Sequence, residues 1–212
     1  MNLDYSFQEL GDLYISQGVS KYLDKEFSIS RKNHIHSDVL LLTDYVLDYF
    51  VSTKQKIVDG ETFGCGSWLL YFKCNSIYIE LHELKNISEG KNIYEFDVSL
   101  SIKFLKEQTE LIKKYDVPFS NIPLIGQKIA VSEDIYSGSE VNGVRYSAPD
   151  HMTGWYLTSN SFNGNVNSLK VDYLYSLLKT RPDLGKFLAL PEGYRFFKDH
   201  LGEEVWIDVQ SE

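Results

Sequence analysis

The chain has 212 residues, a formal net charge of −9, 43% hydrophobic residues and 24% charged residues. That length suits one large domain or two small ones, and the apolar share belongs to a globular chain rather than a disordered one. Acidity spread over both halves repels phosphate backbones and argues against direct nucleic-acid binding.

Residues 5–25 read as weakly helical, interrupted by Gly11 and Gly18. SDVLLLTDYVLDYF, 37–50, predicts a strong helix: Ser37 suits its cap, and Val39, Leu42, Val46 and Tyr49 share a face. SWLLYFK, 67–73, and SIYIELHEL, 76–84, read as a hairpin around Asn75, with Ile77, Ile79 and Leu81 on its core face. The segment 97–115 is ambiguous: Val98, Leu100, Ile102 and Phe104 alternate like a strand, while Val98, Ile102, Leu105 and Ile112 fit a helix; a helix is expected from about 99 to 115, ended by the restriction that Pro118 places on Val117. VPFSNIPLIG, 117–126, is the best boundary and divides the chain into 1–120 and 121–212, which either stand apart or share one core. Beyond it, KIAVS (128–132), GVRYS (143–147) and GWYLTS (154–159) read as strands. NSLKVDYLYSLLK, 167–179, reads as a helix with Val171, Leu174, Tyr175 and Leu178 in its stripe and Asn167 or Ser168 as cap. TRPDLGKFLAL reads as a second short helix with Pro182 in its first turn, stopped by Pro191, and YRFFK and EVWIDV as closing strands. The sum is an α+β architecture of antiparallel hairpins with packed helices.

Catalytic and metal signatures are weak. His34 and His36 form an H-x-H pair in a loop before a helix, without further ligands nearby to complete a site. Cys65 and Cys74 lack CxxC spacing, are too few for a secreted disulfide framework, and read as small hydrophobes on neighbouring strands. Ser147, Asp150 and His151 invite a Ser/His/Asp reading, but adjacent residues on an extended chain point in opposite directions. The pairs Glu80/Glu83 and Glu203/Glu204 read as solvated faces. Neither a Walker loop nor a complete dinucleotide fingerprint is present. No catalytic residue, cofactor or metal is therefore assigned.

The stretch 147–165 leaves open a binding surface beside the reading of a simple turn. In GWYLTS, Trp155 and Leu157 share one face and Tyr156 and Thr158 the other; Trp155 reads as a core anchor, and Gly154 as a point of close backbone approach. From 158 to 168 every residue except Phe162 and Val166 is Thr, Ser, Asn or Gly. Such a loop can turn and can hydrogen-bond a partner, with Tyr156 and Phe162 as anchors. The candidate contact residues are Asp150, His151, Tyr156, Asn160, Phe162 and Asn163.

Four motifs carry a family resemblance: AVS at Ala130–Ser132, Thr153-Gly154-Trp155, RPDL at 181–184, and the LP-x-G-aromatic of Leu190–Tyr194. With these, residues 125–209 resemble immunity family thirty-three of bacterial polymorphic-toxin systems, long known as a domain of unknown function. Residues 60–117, with GSWLLYF, look like an upstream part of longer members. The resemblance implies a protein that binds and neutralises a cognate toxin, without cofactor or turnover. An opening stretch without a basic or apolar leader, and apolar runs such as VLLL far below the roughly 20 residues of a membrane span, add the expectation of a cytoplasmic protein with no membrane partner. A monomer is expected, with a homodimer as alternative. The competing functional readings are a small hydrolase or transferase with an unrecognised site, and a structural adaptor.

Overall fold

A computed structural model describes residues 3–32, 34–118, 121–138 and 140–207. The chain divides into two compact units, Met1–Lys106 and Glu107–Glu212. Among the described residues no helix is long and apolar enough to cross a membrane. The class is α+β, with antiparallel hairpins in both sheets.

Unit 1 contains β1 (Ser6–Leu10), β2 (Leu13–Gln17), α1 (Ser20–Leu23), β3 (Glu26–Ser30), α2 (His36–Thr53), β4 (Thr62–Cys65), β5 (Trp68–Cys74), β6 (Tyr78–Ser88), β7 (Lys91–Glu95) and the start of α3 (Ser99–Lys114). Its sheet runs β1-β2-β3-β6-β5-β4, with β7 pairing to β6 and β3 parallel to β6. Val39, Leu42, Val46, Leu47 and Phe50 of α2 share one core with Phe27, Ile29, Leu70, Phe72, Ile79 and Leu81 of the sheet. The expected α2 stripe is met except at Tyr49, which is exposed, and the helix starts at Ile35 without a side-chain cap rather than at Ser37.

Residues 5–25, expected to be weakly helical, form the β1–β2 hairpin and only the single turn of α1. Tyr14 and Ser16 are buried between the less buried Leu13 and Ile15, a period of two that a helical reading overlooks. The β5–β6 hairpin forms as expected. Asn75 Oδ1 closes it by accepting from the backbone N–H groups of Ile77 (2.9 Å) and Tyr78 (2.7 Å). Ile77 lies in that turn and is exposed, not in the core.

Glu83 overturns the solvated-face reading. It is 2% exposed, and its carboxylate accepts from the N–H groups of Leu100 (3.1 Å) and Ser101 (2.8 Å) and from the Ser101 hydroxyl (2.9 Å). It thus caps α3 from a neighbouring strand, while burial pushes its carboxyl up. Glu80 is also engaged, 3.2 Å from the His82 ring, and Glu203 pairs with Lys186 and Lys114.

Unit 2 carries the rest of α3, then β8 (Lys128–Val131), a 3-10 turn (Glu133–Tyr136), β9 (Val141–Arg145), β10 (Met152–Thr158), a 3-10 turn (Val166–Ser168), β11 (Lys170–Tyr173), α4 (Leu174–Thr180), a 3-10 helix (Pro182–Ala189), β12 (Tyr194–Lys198) and β13 (Glu203–Ile207). The sheet order is β11-β8-β10-β9-β12-β13, with β8 and β10 parallel. Asp208 and Val209 of the expected closing strand lie outside the described residues. The helix expected over 167–179 is instead a short turn, strand β11 and a seven-residue helix. Val171 and Tyr173 suit an edge strand, and only Leu174, Leu177 and Leu178 make a buried stripe.

One face of this sheet is covered. Phe187 of the 3-10 helix stacks on Phe196 of β12 at 4.0 Å, and Trp155 of β10 lies 5.5 Å from Phe196. Arg145, also buried, donates to the carbonyls of Leu190 (2.6 Å) and Asn121 (2.9 Å), tying those two segments to β9.

Candidate functional site

The four motifs of the family resemblance all prove to be architectural. Ala130 and Val131 are buried in β8, and Ser132 ends it. Gly154 adopts φ +77, and a Cβ there would lie 2.2 Å from the Tyr146 carbonyl oxygen, so close backbone approach is what the glycine permits. Its neighbour Trp155 is fully buried, as expected of a core anchor. In RPDL, Arg181 donates to the carbonyls of Ile135 (2.7 Å) and Gly138 (2.6 Å), and Asp183 grips the same guanidinium with two bonds of 2.9 Å. Burial opposes charge on Asp183, but Arg181 and Lys198 outweigh it and hold the carboxyl down at about 2. Leu184 is buried, and Leu190 offers its carbonyl to Arg145.

These contacts fix the Glu133–Tyr136 turn, and that turn fixes the polar loop. Asp134 accepts hydrogen bonds from the hydroxyls of Ser159, Ser161 and Ser132, the last at 2.8 Å. Those three bonds hold its carboxyl at about 2, well below the ordinary 3.8. The Ser159 N–H donates to Ser132 Oγ at 3.1 Å, and the Phe162 N–H to the Ser159 carbonyl at 3.2 Å. A cavity of about 320 Å³ lies here, lined by Ser132, Glu133, Asp134, Ser161, Phe162 and Asn163, with Ser168 at its margin. Sequence reading missed Asp134, because its acceptor role depends on serines 25 and 27 positions away.

The six candidate residues do not form one patch. Asp150 and His151 lie exposed in the loop entering β10, where their backbone carbonyls accept from Gln127 Nε2 and the Lys128 N–H. Ser147 is exposed in the same loop. Asn160, Phe162 and Asn163 follow the other end of β10, about 20 Å away at the rise of an extended strand. Phe162 is half-buried against the cavity. Asn160 bonds to Glu140 and Asn142, and Asn163 Oδ1 accepts the Asn165 N–H at 2.9 Å.

Tyr156 stands between these ends, on the sheet face opposite Trp155. Its cross-strand partners are Val144 and Ala130; the same row continues through Arg195 to Trp206 and through Val171. Tyr156 is 36% exposed, Trp206 42% and Val171 59%, and the Tyr146 ring meets Tyr156 edge-on at 5.7 Å. The outer face is thus aromatic and partly open.

At neutral pH Asp134 is a carboxylate, weakly basic and already accepting from three serine hydroxyls. Among the described residues, no group of three or more His, Cys, Asp or Glu could hold a metal ion. His34 lies 3.4 Å from Asp97, and His36 packs edge-on to Phe7 and Tyr14, so the H-x-H pair is divided between two neighbourhoods of unit 1.

Unit 2 thus presents an α+β sheet with one face covered, a clamped polar loop and a partly open aromatic outer face. Residues 107–208 match the family model of the Imm33-like domain. The match takes in nearly all of unit 2 and includes all four motifs on which the resemblance rests. No curated protein and no solved structure matches the chain.

Proposed function

We propose that the chain is a cytoplasmic immunity protein that neutralises a cognate bacterial toxin by stoichiometric binding, without turnover. The observation that carries this reading is the Asp134 clamp within the segment that matches the Imm33-like domain. A Ser/Asn/Gly loop would ordinarily lose considerable freedom on binding; this one is already ordered, which reduces that cost. Asp134 and Glu140 hold the loop with negative charge, Glu133 beside them is paired with Lys170 at 2.6 Å, and the chain carries −9 overall. A basic toxin surface would be steered to it. Phe162 and Asn163 lie at the cavity and Tyr156 on the adjoining strand face, while Asp150 and His151 contact a larger partner from the far end of β10.

The test is co-expression with the polypeptide encoded beside this gene, followed by purification and a growth assay. A one-to-one complex that abolishes the partner's toxicity is expected. Tyr156→Ala combined with Phe162→Ala should weaken that complex by about tenfold or more, as truncation of anchor residues does. Unchanged affinity in a folded double variant removes the site assignment, and a folded chain that takes up no toxin removes the immunity reading.

A further inference from the structure

Unit 1 holds a cavity of about 820 Å³, walled by α1, the C-terminal end of α2, the segment 54–59 and the end of β5. Its floor is apolar. Phe50 and Ile79 belong to the core of unit 1, and Tyr22, Leu23 and Ile57 pack against that core from the cavity side. Its rim is cationic: Lys21, Lys25, Lys54 and Lys56 line it against only Asp24 and Asp59, in a chain whose net charge is −9.

From this arrangement we propose that the cavity binds a small amphipathic anion, a carboxylate head on an unbranched apolar tail. The site is independent of the toxin-binding reading of unit 2. Its volume falls within the range of about 300–1,000 Å³ typical of small-molecule sites, and an apolar floor with few polar groups is their usual lining. Lys21 pairs with Asp4 at 3.3 Å and Lys25 donates to the Asn75 carbonyl at 2.6 Å, which leaves Lys54 and Lys56 as the rim charges open to a ligand. Lys54 makes neither an ion pair nor a hydrogen bond among the described residues. Lys56 meets Asp24 only at 3.6 Å with both side chains largely exposed, a weak pairing readily exchanged for a ligand. Asp59 is occupied, accepting the Cys74 N–H at 2.7 Å. The C-terminal end of α2 brings a partial negative charge of about half a unit, less than the full charge of Lys54 alone.

Cys74 makes the site measurable. It lines the cavity as a partly buried free thiol, whereas Cys65 is fully buried. The experiment follows alkylation of the full-length protein by neutral iodoacetamide, read by intact mass, with dodecanoate, dodecyltrimethylammonium or acetate added. Dodecanoate should slow Cys74 alkylation saturably, with one molecule bound per chain by calorimetry, while acetate and the cationic amphiphile should not. Lys54→Glu combined with Lys56→Glu, both exposed and checked by thermal melting against the parent, should weaken dodecanoate roughly tenfold, the scale of about 1.4 kcal/mol. Equal protection by the cationic amphiphile, an unchanged affinity in the folded double variant, or no protection at all would overturn the proposal.

Discussion

Gly154 shows how a single residue can set both fold and surface. Its positive φ and the approach of the Tyr146 carbonyl let β10 place Trp155 in the core and Tyr156 on the outer face. Gly154→Ala should therefore cost about 2–4 kcal/mol in denaturant unfolding, combining backbone strain with a steric clash. A loss below about 0.5 kcal/mol would show that the backbone relaxes freely there. Asp134 gives a pH signature. Its carboxyl is depressed to about 2 from an ordinary 3.8, so its stabilising effect is fully present above the upper value and is lost as pH falls through the lower. The amide resonances of Ser161 and Phe162 should hold steady from neutral pH down to about pH 4 and move only below it. Asp134→Asn should loosen the loop at neutral pH, read as faster amide exchange at those positions, while Trp155 stays buried.

Among the elements, α3 depends on a charge that sequence reading places in water. Glu83 supplies acceptors to the first N–H groups of the helix from strand β6, and no local pattern near Ser99 announces it. Glu83→Ala would leave the Leu100 and Ser101 N–H groups without that acceptor, at a cost of about 2–4 kcal/mol. Glu83→Gln keeps one acceptor oxygen and removes a charge that burial disfavours, so it should cost less than alanine; the two melting curves test that order. Legibility follows the same division. The apolar stripe of α2 and the β5–β6 hairpin closed by Asn75 could be read because their determinants are local, whereas the start of α3 also alternates like a strand and only the composition of its tail favours a helix. The β1–β2 hairpin and β11 could not. Each is only four or five residues long and gains its identity from the strand beside it. At the candidate site Trp155, Gly154 and Tyr156 were legible from strand alternation, whereas Asp134 and Trp206 join it only through pairings that the fold creates.

At the scale of the whole molecule the competing uses of the outer face can be weighed. Tyr156, Trp206, Val171 and Tyr173 are exposed and could in principle join two copies of the chain. Two features oppose that. Arg195 lies between Val144 and Trp206 in the same row, so the apolar surface is interrupted by a cation with its own hydrogen bond to Tyr146. Each copy also carries −9, so two copies repel while a basic partner is attracted. Light scattering should return a mass near 24.5 kDa for the isolated protein. Lowering the salt should tighten the complex with a basic toxin and leave that mass unchanged. A mass of twice that value, lost on Tyr156→Ala, would assign the aromatic face to self-association and leave the clamped loop alone to carry the binding of a partner.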